Sequence, residues 1–222
     1  MFRSSNSSLE FADRHAAGRA LAERLEEFAG RTDVVVLALP RGGVPVAYEV
    51  AQGLNAPLDV FVVRKLGVPG HEELAMGAIA SGDVRVLNQD VLDWYRLSDG
   101  DVDAVARRER AELERREQLY RGGRPLTPIE GRVVILIDDG LATGSTMRAA
   151  VEAVRRLKPS RIVVAVPVGA RDTCEQFREI ADDAICVISP ASFSAVGQWY
   201  VDFSQTTDDE VRQLLASRDR SG

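Results

Sequence analysis

Val133 to Thr146 reads V-V-I-L-I-D-D-G-L-A-T-G-S-T, and the fold is read outward from it. The five apolar residues Val133 to Ile137 predict a strand buried on both faces, as in a parallel sheet. Asp138 and Asp139 then emerge at its carboxyl end. Ala142 to Thr146 supply small side chains, exposed backbone N–H groups and hydroxyls, and Met147 to Leu157 predict a helix whose N-terminus faces an anion. A phosphate can sit on such a loop while a diol is gripped by the aspartates, which describes a site for a phosphorylated sugar. A nucleoside triphosphate loop would need the lysine of G-x-x-x-x-G-K-[ST], and Ser145 stands in its place. The plain alternative, a strand-to-helix turn without function, leaves two adjacent acids at a strand end unexplained.

Upstream, Val34 to Leu39 predicts a second buried strand, Val44 to Leu54 a helix and Leu58 to Val63 another strand, which together make a β-α-β unit with a right-handed crossover. Between strand and helix lies Pro40-Arg41-Gly42-Gly43. Gly42 and Gly43 let the backbone approach a bound anion, and Arg41 can add charge-assisted hydrogen bonds; a plain turn is the alternative. Arg64 and Lys65 follow Val62-Val63 and are expected at a strand's carboxyl end, with solvated surface charges as the competing reading. Asp13 to Ala29 carries Ala16, Ala20, Leu21, Leu25 and Phe28 at helical spacing. Ala75 to Ala80 and Val84 to Leu87 flank Ser81-Gly82-Asp83 and predict a hairpin. Asp101 to Arg121 reads as a solvated, charge-dense helix ended by Gly122-Gly123-Arg124-Pro125. Arg132 to Asp138, Met147 to Leu157, Arg161 to Val166, Arg171 to Ala181 and Ala184 to Ile188 then alternate strand and helix. The fold class is therefore α/β: an open, mostly parallel sheet with helices on both faces, in which ligands bind beyond the carboxyl ends of the strands.

The 222 residues suffice for one sizeable core, and two full domains would be cramped. A net charge of -6 gives no basic field for a polynucleotide. Two cysteines, Cys174 and Cys186, do not suggest a disulfide framework, and two reduced thiols are expected. No apolar run approaches a membrane helix, and Arg3, Ser4, Asn6 and Ser8 form no signal core, so a cytoplasmic protein is expected. His71 is not part of H-E-x-x-H, since Ala75 occupies the second histidine's place, and a metalloprotease of that type is excluded.

The order of strand, acidic pair, small-residue loop and helix resembles the 5-phosphoribosyl-1-pyrophosphate (PRPP) signature of type I phosphoribosyltransferases. That resemblance implies a single domain over residues 1–222: a core at about 30–188, a hairpin and long-helix insertion at about 67–124, and a small hood at about 189–204. It implies catalysis by Asp138, Asp139, Arg64 and Lys65, the aspartates holding the 2- and 3-hydroxyls of the ribose. Arg41, Gly42 and Gly43 would bind pyrophosphate, with a strained or cis peptide expected at Pro40-Arg41. Gly140, Leu141 and Ala142 would line the donor, Thr143, Gly144, Ser145 and Thr146 its 5-phosphate. Leu66 to Leu74 resembles the mobile loop that closes over PRPP, and Trp199 and Tyr200 fall where the family builds its hood over the acceptor, closure of the core being an equal alternative. Mg²⁺ is implied, held through pyrophosphate and ribose oxygens rather than by a protein cage. The implied partners are PRPP and a small-molecule acceptor, with no DNA or membrane, and the expected assembly is a homodimer.

The implied reaction is transfer of the 5-phosphoribosyl group from PRPP to a nitrogenous base or related acceptor with release of pyrophosphate. Ala142 stands where 6-oxopurine enzymes of the family carry an aspartate, which disfavours hypoxanthine and guanine. Arg64-Lys65, the G-x-P-G loop, the long charged helix and the terminal Y-V-D-F also resemble a group of bacterial phosphoribosyltransferases of unassigned acceptor. A PRPP-sensing regulator without turnover, including an RNA-binding one, stays open as the alternative. PRPP synthesis would need an ATP site and a longer, duplicated chain.

Overall fold

The structure, a computed structural model, describes residues 10–219; the N-terminal residues read above for a signal core lie outside them. Five parallel strands form the main sheet: β1 (Val34–Ala38), β2 (Leu58–Val60), β6 (Val133–Ile137), β7 (Arg161–Val168) and β8 (Asp183–Ile188), in the order β2-β1-β6-β7-β8. All five residues of β1 and of β6 are buried, which is what their unbroken apolar runs require. Their side chains alternate between two layers of core. Val34, Val36, Ile135 and Ile137 pack with residues of α1 (Arg14–Arg24), α2 (Gly43–Leu54) and α7 (Asp208–Asp219), whereas Val35, Leu37, Val134 and Leu136 pack with α5 (Ser145–Arg156) and Phe177 of α6 (Arg171–Ile180). The chain moves to one side after β1 and to the other after β6. The carboxyl ends of these two neighbours therefore frame the point where the strand order reverses.

A second sheet, antiparallel, consists of β3 (Val63–Val68), β4 (His71–Ala80) and β5 (Val84–Leu87). Two expectations change here. The second parallel strand stops at Val60 instead of running to Val63, because polar side chains take up the backbone groups that would continue it. Arg121 donates to the Val60 carbonyl at 2.6 Å, and the Val62 N–H donates to Ser81 Oγ at 3.0 Å. Leu66 to Leu74 is not a free loop but the end of the β3–β4 hairpin, turning at Pro69-Gly70, where Gly70 has φ of 79°. The predicted β4–β5 hairpin is present.

A short helix α3 (Gln89–Tyr95) precedes the charged helix α4 (Asp99–Arg121). A capping box between Ser98 and Asp101 starts α4, and Gly122 in the left-handed region ends it. Among the described residues no helix is long and apolar enough to cross a membrane. The expectation of two reduced thiols is also corrected, because Cys174 and Cys186 form a disulfide. The helix-then-strand return from α6 to β8 brings residues 12 apart face to face. Gly169 makes room, since a β-carbon there would overlap Cys174 Sγ.

Candidate functional site

Leu39 continues from β1 and donates to the Ile137 carbonyl at 2.8 Å, so the loops after β1 and β6 start side by side. The Pro40-Arg41 peptide is cis, as the family resemblance implies. Both glycines that follow answer to close approach. A β-carbon at Gly43 would lie 2.7 Å from the Ile137 carbonyl oxygen, and one at Gly42 would overlap Asp139 Oδ2. The P-R-G-G turn and the acidic pair are thus one continuous surface. Arg41 is half-exposed beside it, 3.8 Å from Asp208, whose carboxylate also accepts from Tyr120 Oη at 2.7 Å. Burial first, and then that bond, push the Tyr120 phenol up to about 12.

Asp138 and Asp139 are held differently. Asp138 Oδ1 accepts the Asp139 N–H at 2.9 Å. Asp139 Oδ2 receives two nitrogens of Arg14, Nε at 2.9 Å and an Nη at 2.8 Å, while Tyr200 Oη donates to the Asp139 carbonyl at 2.6 Å. Burial, reinforced by the neighbouring Asp139 charge, holds the Asp138 carboxyl well above the usual carboxylate range. Burial also raises Asp139, with Arg14 opposing it. Among the described residues the partners therefore differ: Arg14 offsets the Asp139 charge, and Asp138 lacks such partners. Hydroxyl groups or a cation would supply them.

The loop after the pair is built by packing as much as by hydrogen bonds. Leu141 is buried; its N–H donates to the Val168 carbonyl, and its carbonyl accepts from Ala170, both at 2.9 Å. Thr173 Oγ1 donates to the Ala142 carbonyl at 2.8 Å. Gly144, at φ of 69°, lets the chain turn into α5 against the Phe177 ring. Thr143, Ser145 and Thr146 remain exposed at the helix start, where first-turn N–H groups have no partner within the helix and carry the positive end of its dipole.

Arg64 and Lys65 are adjacent on a strand, and adjacent strand residues point to opposite faces. Arg64 donates twice to Glu109 of α4, at 3.0 and 2.6 Å. Lys65 Nζ reaches the other way and donates to Ser145 Oγ. Only Lys65 is thereby brought to the Thr143 to Thr146 loop, where it lines a cleft of about 500 Å³ together with Ala78, Val86, Thr143 and Arg148. Both bases belong to β3 of the antiparallel sheet, not to the end of the second parallel strand, so the position expected for them is corrected. His71, Glu72 and Glu73 stay exposed near the hairpin turn.

The hood segment also differs from an open platform. Tyr200 is buried, its ring 5.7 Å from Phe11 and 5.0 Å from Phe203. Burial, and then the Asp139 charge, push its phenol far above the ordinary value. Trp199 is half-buried, and its indole N–H has no partner among the described residues. Arg14 was not recognised in the sequence. It lies 125 positions from Asp139, inside a stretch whose pattern signals only a packed helix, and no local motif announces the pairing.

Comparison with known proteins identifies the family. Residues 10–203 match the phosphoribosyl transferase domain family. A Mycobacterium tuberculosis protein named as a candidate phosphoribosyl transferase is 51% identical over 205 residues, covering 92% of this chain and 46% of that protein. The chain therefore spans about half the length of the curated relatives it matches. A bifunctional PyrR protein of Chloroflexus aurantiacus is 34% identical over 131 residues, 57% of this chain and 65% of its own. A crystal structure from Thermus thermophilus superposes with a TM-score of 0.83 at 42% identity, covering 94% of this chain and 98% of that one. With 194 consecutive residues matched, the chain belongs to the phosphoribosyl transferase domain family.

Proposed function

We propose that this chain binds PRPP at the carboxyl ends of β1 and β6 and transfers its 5-phosphoribosyl group to a nitrogenous base or related acceptor, releasing pyrophosphate. The observation that carries the reading is that the Pro40 to Gly43 turn packs against the acidic pair, which leads into the Thr143 to Thr146 loop, at one switch point. On this reading the 5-phosphate lies on the exposed N–H groups and hydroxyls of Thr143, Ser145 and Thr146 with Lys65 beside them. Pyrophosphate meets Arg41 and the Gly42-Gly43 backbone. The acidic pair takes the ribose hydroxyls and favours positive charge developing at C1.

Carboxylate oxygens and phosphate oxygens suit Mg²⁺, which keeps much of its shell from water and substrate. Asp138 and the Asp139 Oδ1 have acceptor capacity to spare, and among the described residues no cluster of three or more His, Cys, Asp or Glu forms a cage. The ion's chemistry here would be neutralisation of the leaving pyrophosphate. Arg64 is committed to Glu109 of α4 and is given no contact with the donor on this reading. Ala142 offers no carboxyl to a purine and presents its carbonyl to Thr173.

Calorimetry with PRPP and Mg²⁺ tests the donor site: the double substitution Asp138→Asn, Asp139→Asn should abolish binding seen with the unaltered chain, and unchanged binding would sink the assignment. Pyrophosphate release should then be followed with adenine, orotate, uracil and nicotinate. Tight PRPP binding without release in any mixture would favour a PRPP-sensing regulator instead, RNA-binding or not.

A further inference from the structure

The two carboxyls at the end of β6 are not equivalent, and the asymmetry comes from a residue on the first helix. Arg14 places two guanidinium nitrogens on Asp139 Oδ2, and the approach of Gly42 to the same oxygen closes it from another side. Tyr200 fixes the Asp139 main chain from below. The remaining arm of the guanidinium donates to the Ser204 carbonyl at 2.7 Å, and its carbon lies 4.0 Å from the centre of the Phe203 ring. Both side chains of the pair Arg14–Asp139 are largely buried, at 11% and 16% exposure. Asp138, by contrast, accepts only the neighbouring Asp139 N–H among the described residues.

We propose that Arg14 is a positioning residue that holds Asp139 by its Oδ2 against the hood segment, so that Asp139 meets the ribose hydroxyls through Oδ1 alone and Asp138 carries the larger share of the contact. The inference rests on the reading of this strand end as the donor's diol site. Two adjacent buried carboxylates repel each other, and a ligand would meet that repulsion unless one is neutralised in place. Arg14 neutralises one. Because the same guanidinium is stacked on Phe203 and bonded to Ser204, the anchor moves only if the hood segment moves. This links whatever occupies the hood to the geometry of the diol site.

The test is calorimetry with PRPP and Mg²⁺ on Asp138→Asn, Asp139→Asn, Arg14→Met and the double substitution Arg14→Met, Asp139→Asn. Asp138→Asn should weaken binding about a hundredfold and Arg14→Met about tenfold, the scale of lost charge-assisted hydrogen bonds. Adding Asp139→Asn to Arg14→Met should restore most of the latter loss, because the carboxylate left without its partner is removed; a merely structural role for Arg14 gives no such rescue. Equal losses in Asp138→Asn and Asp139→Asn would overturn the inference, as would a double variant weaker than both of its parents. Should Arg14→Met fail to fold, the two isosteric Asn variants still decide it. No PRPP binding by the unaltered chain would overturn the site reading and this inference together, whereas binding with equal Asn variants would overturn the inference alone.

Discussion

Two strands of the parallel sheet carry buried or half-buried aspartates near their carboxyl ends, Asp59 on β2 and the Asp138–Asp139 pair after β6, and their surroundings are opposite. Asp59 is saturated. Its Oδ1 accepts the Val60 N–H at 2.7 Å and Arg121 Nε at 2.9 Å, and its Oδ2 accepts the Thr127 N–H at 2.8 Å and Thr127 Oγ1 at 3.0 Å. Arg121 is equally occupied, donating to Glu117, the Val60 carbonyl and Ser81 Oγ. Such a network ties the parallel sheet, the antiparallel sheet and α4 into one body, with no capacity left for a ligand. Among the described residues the pair after β6 keeps acceptor capacity on Asp138 and on Asp139 Oδ1, beside the Pro40 to Gly43 and Thr143 to Thr146 turns proposed to take the donor's phosphates. A buried charge with all its partners is a fastening, and one with acceptor capacity to spare can meet a ligand.

The largest effect should come from breaking the saturated cluster. Arg121→Met would leave the Asp59 carboxylate buried without its cation, and removal of one partner from such a pair costs about 3–5 kcal/mol. Urea unfolding monitored by circular dichroism should show that loss; a change under about 1 kcal/mol would place Asp59 and Arg121 in the class of solvated surface pairs and erase the contrast.

That contrast also marks what could be read from the chain. The acidic pair, its loop and P-R-G-G announce themselves because their chemistry is local: apolar strands stop, and unusual residues follow within a few positions. The alternation in core packing and the parallel strand order follow from the same runs. The Asp59–Arg121 network is invisible by comparison, since its members are 62 positions apart and each looks ordinary where it stands. Its invisibility explains the misjudged end of β2, because apolar Phe61 and Val62 suggest continuation while Arg121 and Ser81, far along the chain, terminate it. Arg14 and the Cys174–Cys186 pair escaped for the same reason: pattern gives the element, and tertiary packing chooses what one of its side chains meets.

A second way to sharpen the comparison is steric. Gly42→Ala adds one carbon where Asp139 Oδ2 already lies, so carboxylate or turn must shift. Misplacement of a site group by about 1 Å can cost on the order of a hundredfold, and PRPP affinity should fall on that scale. Gly30→Ala is the control, at a glycine whose β-carbon would meet nothing and which lies outside the site; its positive φ adds strain, so it should touch stability and spare affinity. Equal PRPP affinity in Gly42→Ala and the unaltered chain would mean that the acidic pair and the P-R-G-G turn are neighbours without a shared task.

The smallest effect is the one that separates the two clusters most directly. The Asp138 carboxyl is raised in the folded chain above its unfolded value of 3.8 by burial and by the Asp139 charge. A raised carboxyl contributes stability that is fully present below the unfolded value and is lost as pH climbs through the folded one, so near neutrality the ionised group is a burden on the ligand-free fold. Asp138→Asn keeps the acceptor for the Asp139 N–H and drops the charge. It should match the unaltered chain in thermal midpoint at the acid end and exceed it increasingly as pH rises above the ordinary carboxylate range, while losing affinity for PRPP. Asp59→Asn should do the reverse and lower the midpoint, because it removes a carboxylate paired with the buried Arg121. If Asp138→Asn instead lowers the midpoint at neutral pH, the carboxylate is a structural member like Asp59, and the site has to be sought among the remaining groups of the switch point.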